Sequence, residues 1–313
     1  MTTGFLTRIY LVGILCCFLG SNLKVYAAVT ETGKKIEKSL IEQDIKIANK
    51  IDEFASDIDT AMSGSNSAGR NRTNIVLRNQ LNWAEGGTFT YTPHIDLNLR
   101  LPNLEKKWQL KFTTYDADEV DRGINRGRVK TTPIAENYGG SVGLLQKLGR
   151  ITTEFQPRVE IKNPVTLSYL LKFRTNIEEK ILTFKPELQL FARSDSGVGQ
   201  FTSFNFDIPL YKTLALTLIN EEQYQDRANI FSTNEGLSFG FSYNDYMTQS
   251  LSLMYESSSR PNFHLDRYII ASGFTHKIYK NVLHYTVVPY LAFPRNLDFK
   301  GSPGVNFELD IIF

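Results

Sequence analysis

From Asn74 to Phe313 the chain alternates apolar and polar residues one by one, in runs of about ten to thirteen residues, and few folds accept that pattern. The clearest run is Phe89 to Leu101. Phe89, Tyr91, Pro93, Ile95, Leu97, Leu99 and Leu101 fall on one side, and Thr90, Thr92, His94, Asp96, Asn98 and Arg100 on the other. Successive side chains of a strand leave opposite faces of a sheet, so this run is a β-strand with one apolar and one polar face. The pattern returns with Val165, Leu167, Tyr169, Leu171 and Phe173, and again with Leu182, Phe184, Leu188 and Leu190. Later copies are Leu237, Phe239, Phe241 and Tyr243, then Leu283, Tyr285, Val287, Leu291 and Phe293, and finally Val305, Phe307, Leu309, Ile311 and Phe313.

Strand length separates two ways of covering such an apolar face. A sandwich does it with strands of about five or six residues, whereas a tilted strand crossing a bilayer needs about 9 to 11. The runs here have the second length, and tyrosines sit near their apolar ends. The sequence therefore predicts an all-β fold: a closed antiparallel transmembrane β-barrel of about 12–14 strands over residues 74–313, with lipid outside and a polar interior. Closure is required, because an open edge would leave backbone groups unpaired in hydrocarbon. The segment 117–150 is weakly patterned, which is why twelve strands stay open beside fourteen. With both ends of the barrel on the periplasmic side, the even-numbered connections are short turns, among them PNLEKK and NIEEK. The odd-numbered ones include the longest, 117–137, with Lys162-Asn163-Pro164 a tight exception. Short periplasmic turns and long outer loops are the habit of bacterial barrels.

The first 73 residues follow another pattern. Arg8, the apolar run Ile9 to Leu19 and Val25-Tyr26-Ala27 read as a secretory signal over 1–27, cut after Ala27. Eleven apolar residues are too few to span a bilayer as a helix, which takes about 20. Both cysteines, Cys16 and Cys17, lie in that signal, so the mature chain has no disulfide or thiolate chemistry. Lipidation at Cys16 is disfavoured by the bulky Leu15 before it. Residues 28–73 are read as a periplasmic segment. Within it, 33–62 spaces Ile36, Leu40, Ile47, Ile51, Phe54, Ile58 and Met62 as one amphipathic helix, and 63–73 is a Ser/Gly/Asn-rich linker. Loss of 1–27 removes two basic residues, Arg8 and Lys24, and no acid, leaving 33 basic against 33 acidic groups. That balance argues against a nucleic-acid partner.

The signal, the alternating strands and the terminal Phe-Glu-Leu-Asp-Ile-Ile-Phe resemble Gram-negative outer-membrane β-barrel proteins. In that class a final alternating strand ending in Phe is read by the barrel-assembly machinery, so the resemblance implies Phe313 as an assembly signal and the bacterial outer membrane as location. It covers about residues 74–313 and points to no particular family. Outer-membrane lipid and lipopolysaccharide are the implied partners. The helix at 33–62 is an addition to the simple pattern, and is expected to oligomerise through its seam, to dock in the periplasmic mouth as a plug, to reach a periplasmic partner, or to serve as a spacer.

A barrel of this size is wider than the eight-stranded kind that side chains fill, so an aqueous passage is feasible. Its polar faces over 150–193 carry Glu154, Arg158, Glu160, Lys172, Arg174, Lys185, Glu187 and Arg193. Arg158, Lys172, Arg174, Lys185, Glu187 and Arg193 are the lumen-lining candidates, forming either a selective constriction for a small polar solute or a set of paired charges. No catalytic set emerges. His94, His264, His276 and His284 sit in no motif, and only the His264/Asp266 pair, expected in an outer loop, suggests a hydrolase. No metal site or cofactor is expected from histidines so dispersed. Asp116, Asp118, Glu119 and Asp121 begin the longest loop and are read as a solvated acidic cluster or a cation-binding one. Gly86-Gly87 and Gly139-Gly140 are read as turn or bulge positions. The sequence thus points to a porin-like channel for small polar solutes. A structural or assembly protein anchored by its barrel is the alternative, and an outer-membrane hydrolase is third.

Overall fold

The computed structural model describes residues 74–87, 89–100, 108–116, 119–120, 122, 136–279 and 282–313, with six isolated positions between 49 and 60. The expected signal at 1–27 lies outside the described residues. So does the expected helix at 33–62, apart from those six positions, and no helical element is supported there.

The alternating runs form a single antiparallel sheet. Its strands are β1 (Asn74–Ala84), β2 (Thr90–Arg100), β3 (Trp108–Thr113), β4 (Gly139–Leu148), β5 (Ile151–Glu160), β6 (Thr166–Arg174), β7 (Ile177–Glu178), β8 (Thr183–Arg193), β9 (Gly197–Tyr211), β10 (Leu214–Gln225), β11 (Ile230–Asn244), β12 (Met247–Ser258), β13 (His264–Tyr279), β14 (Leu283–Pro294) and β15 (Ser302–Ile312). Strands consecutive in the chain pair with each other except β6 and β7, β15 returns to β1, and the β6–β8 pairing closes the ring. β1 pairs with β15 from Val76↔Ile312 to Ala84↔Gly304, and β6 pairs directly with β8 from Ser168↔Arg193 to Arg174↔Glu187. β7 is a two-residue bridge at the rim of β8. The barrel therefore has fourteen staves, and the weakly patterned 117–150 region supplies β4. Phe313 completes the seam, since its N–H donates to the carbonyl of Ile75 at 2.8 Å and its carbonyl accepts from the N–H of Ile75 at 3.2 Å.

Register fixes which residues face the interior. Gln80↔Glu308, Glu154↔Lys172, Glu221↔Asn234 and Glu256↔Arg267 are cross-strand partners on the same inner side. Gln80, Glu154, Glu160, Gln189, Glu221 and Asn234 are buried, while Tyr91, Ile95, Val159, Leu167, Leu190, Leu218 and Leu251 are exposed. The usual order of a soluble protein is inverted. Aromatic side chains ring both ends of the outer face, Trp83, Phe89, Tyr91 and Tyr138 at one and Tyr211, Tyr243 and Tyr246 at the other. Such girdles flank the apolar band of a bilayer-spanning barrel. The turns at the second end are short, such as Gly149-Arg150 (Gly149 φ 62°), Lys212-Thr213 and Asp245-Tyr246, and by the loop rule this is the periplasmic end. At the other end the 295–301 connection folds over the wall, where Phe299 stacks on Tyr268 (5.9 Å) and Tyr268 on Phe293 (4.4 Å).

Candidate functional site in the barrel lumen

The inner wall of β1–β8 is a connected set of charges. Arg78 donates from Nε to Asp310 Oδ1 at 3.0 Å and from Nη1 to the Tyr115 hydroxyl at 3.3 Å, and that hydroxyl donates to Asp96 Oδ2 at 3.4 Å. His94 meets the Tyr115 ring edge-on at 5.2 Å. Lys111 Nζ reaches Glu154 Oε1 at 3.2 Å and Gln156 Oε1 at 3.1 Å. Charge-assisted contacts of this kind satisfy groups that would be costly to bury alone.

The chain leaving β3 does not continue outward. Asp116 and Glu119 accept from Arg193 Nη1 at 3.2 and 3.1 Å, and Arg193 lies at the end of β8. Arg122 Nη1 donates to Gln189 Oε1 at 3.2 Å, and its guanidinium lies 4.3 Å above the Phe191 ring, both also on β8. Since β4, β5 and β6 stand between β3 and β8, the described residues Asp116, Glu119 and Arg122 reach across the inside of three staves to make these contacts. Arg193 is its anchor. It also binds Glu160 Oε2 at 3.0 Å and Asp195 Oδ1 at 3.3 Å, and Lys162 bridges the same Glu160 (3.1 Å) and Asp195 (2.5 Å). In this outer connection the hydrogen bond from Lys162, aided by Arg193, holds the Asp195 carboxyl down at about 2. Beside the anchor is a half-open polar cavity of about 180 Å³, with Glu119, Arg122, Phe191, Arg193 and Gln223 in its lining. A second polar cleft, of about 750 Å³, opens at the periplasmic end between Lys147, Arg150, Arg174 and Glu178.

All six lumen-lining candidates stand on the inner face, but they do not form one ring. Arg158 is buried and donates to Thr113 Oγ1 (2.6 Å) and to the carbonyls of Tyr115 (3.1 Å) and Asn137 (2.7 Å). It holds the base of the inward segment. Gly139 leaves room for it, because a Cβ there would stand 2.8 Å from Nη2. Arg193 belongs to the same cluster. Lys172 is buried at mid-wall, Glu187 accepts from Gln189 Nε2 at 2.5 Å, and Lys185 pairs with Asp207. Arg174 is exposed in the periplasmic cleft.

Two readings of the sequence are corrected. The solvated or cation-binding acidic cluster does not stand as such, for Asp116 and Glu119 turn inward onto Arg193; Asp118 and Asp121 lie outside the described residues. Gly139-Gly140 is neither turn nor bulge but the start of β4, in register with Thr113 and Phe112. What the sequence did not disclose is the role of Arg122 and the apolar inner residues Leu170, Phe191 and Phe201, which pack together. Leu170, Phe191 and Phe201 each occupy a position that strand parity assigns to the interior, and that parity is the signal that could have found them; Arg122 lies on no strand. His264 and Asp266 do pair, at 2.9 Å, in the outer region.

No family model matches the sequence, and no curated protein matches it. Among solved structures, a loop-deleted form of OmpT, an outer membrane protein of Vibrio cholerae, aligns at 8% identity and TM-score 0.49, over 79% of this chain and 100% of that one. The outer membrane channel DcaP of Acinetobacter baumannii aligns at 9% identity and TM-score 0.44, over 78% and 97%. The KdgM porin, solved with oligogalacturonate, aligns at 5% and 0.39, over 75% and 98%. The assignment rests on the chain's own geometry. A closed fourteen-stave wall, apolar outside, ringed by aromatics at both ends and charged within, makes this chain an outer-membrane β-barrel protein.

Proposed function

We propose that this chain is a porin-like channel for small polar solutes, narrowed on its outer side by the segment 114–122. The observation that carries the reading is the inward course of that segment, tied by Arg158 at its base and by Arg193 across the wall. A loop kept only for the cell surface would not need three staves' width of lumen and a buried arginine to hold it. The cavity beside it offers donors and acceptors of both signs, which suits hydrated or hydroxyl-bearing solutes better than a single class of ion. In this reading the outer face meets lipid and lipopolysaccharide, and Phe313 is the signal read by the assembly machinery.

The test is conductance of the purified protein in a planar bilayer. A steady pore supports the channel, and Arg193→Ala should raise its conductance or its noise by releasing the segment. A silent barrel whose loss disturbs the envelope supports the second reading, an anchor for surface loops. That reading draws on how fully the charges of the inner wall are paired.

A further inference from the structure

The periplasmic mouth holds charges of another kind. Lys147 on β4, Thr152 on β5 and Arg174 on β6 stand in one row, for Thr152 is the register partner of both cations. Strand parity turns all three inward, and adjacent strands lie about 4.8 Å apart, so Lys147 and Arg174 flank the threonine with their Cα positions about 10 Å from each other. Arg150, in the turn between β4 and β5, borders the same cleft of about 750 Å³. That turn is fixed to the end of β6, because Thr175 Oγ1 donates to the Arg150 carbonyl at 2.9 Å.

Higher on the inner wall the cations are matched. Arg78 meets Asp310, Lys111 meets Glu154, Arg193 meets Glu160 and Arg267 meets Glu256. Among the described residues, Lys147, Arg150 and Arg174 have no ion pair and no side-chain hydrogen bond. Glu187 is opposite Arg174 in register but accepts from Gln189 Nε2 at 2.5 Å, and Asp207 on the next stave takes Lys185. Across the lumen Ile219, Met254, Ile269 and Tyr290 pack as one apolar cluster, which brings no counter-charge. Glu178 is the one acidic residue in the described lining, so three cations stand against one carboxylate. Like charges gathered in a concave site repel one another and draw in anions.

We propose that this cleft is a binding site for the carboxylate or phosphate group of a small anionic solute. The guanidinium groups of Arg150 and Arg174 offer paired donors in the planar geometry that such groups accept, and Lys147 adds a point charge. Thr152 and Asn176 bring neutral donors to the same lining. The volume admits a whole small molecule and not only a lone ion. All three cations are exposed, so a solute reaches them without any rearrangement of the wall. The proposal rests on the channel reading only for its consequence, a passage that favours polar solutes carrying negative charge.

The test is calorimetric titration of the full chain, refolded in dodecyl maltoside at low salt, with citrate and separately with inorganic phosphate. Citrate should bind, and phosphate more weakly because it reaches fewer of the three cations. Lys147→Gln with Arg174→Gln should weaken citrate binding about tenfold, and Glu178→Gln should tighten it about twofold by removing the opposing charge. Lys212→Gln, in a periplasmic turn outside the cleft lining, should leave it unchanged. Gel mobility before and after heating shows that each variant is folded, and Glu178→Gln tests the charge balance without touching a cation. Absence of binding by both anions overturns the proposal. So does an equal loss in Lys212→Gln, which would mean general surface charge. A response only to phosphatidylglycerol added to the micelles overturns it in favour of a lipid headgroup. Citrate binding to a barrel that is silent in a planar bilayer keeps the site and rejects the channel, whereas a conducting pore that binds neither anion keeps the channel and rejects the site.

Discussion

Arg193 is the residue on which the inner architecture turns. It meets Asp116, Glu119, Glu160 and Asp195, and Glu160 is fully buried. Lys162 still pairs with Glu160 and Asp195 when Arg193 is lost, so Arg193→Ala should cost about 1.5–3 kcal/mol in unfolding experiments, the range for a hydrogen bond to a charged group. Arg193→Lys should recover only part of it, because a single ammonium cannot reproduce the spread of the guanidinium fork. Nearby, Asp195 gives a pH-dependent contact. Its carboxyl is held below the usual 3.8, at about 2, so its contribution is present above about pH 4 and lost as pH falls toward 2. Both Asp195 and Lys162 are well exposed, so the effect is local: amide exchange in the 162–165 and 194–196 connections should rise over that window with no change in the sheet. A flat profile between pH 4 and 2 would remove the clip.

At the scale of the strand, the outward side chains meet hydrocarbon and the inward ones do not. Leu251 is 47% exposed on the outer face near the middle of β12, and Leu251→Arg should cost about 2–4 kcal/mol in a folding titration into lipid. Thr152→Arg, inward and beside the open periplasmic cleft, should cost little. Similar losses at both sites would mean that lipid does not cover the outer side. Parity was legible from the sequence in β2 and β15 and in the second half of β11, where apolar and polar residues alternate, and in β6 with Leu170 the one break. It was weakest for β4, where Gly139, Gly140, Ser141 and Gly143 carry almost no hydropathy contrast, so the sequence offered that strand but left twelve staves open beside fourteen until its pairing with β3 and β5 decided the count.

For the molecule as a whole, closure is the property most directly measured. A barrel sealed at β1–β15 and β6–β8 has no edge from which to unzip, so the unheated protein should migrate apart from the boiled one on a denaturing gel. Identical mobility would argue against a closed wall. By itself the sequence determined the strands, their faces and the barrel they imply, because a period of two over membrane-length runs is a local property that any one segment displays. It also placed Arg158 and Arg193 on the inner side. Only the tertiary structure decided that the acidic turn after Thr113 bends inward onto Arg193, and that Ile219, Met254, Ile269 and Tyr290 meet in one apolar patch. Both depend on which strands stand beside and across from one another. Residues far apart in the chain are brought together only when the wall closes, and no pattern along a single strand records that meeting.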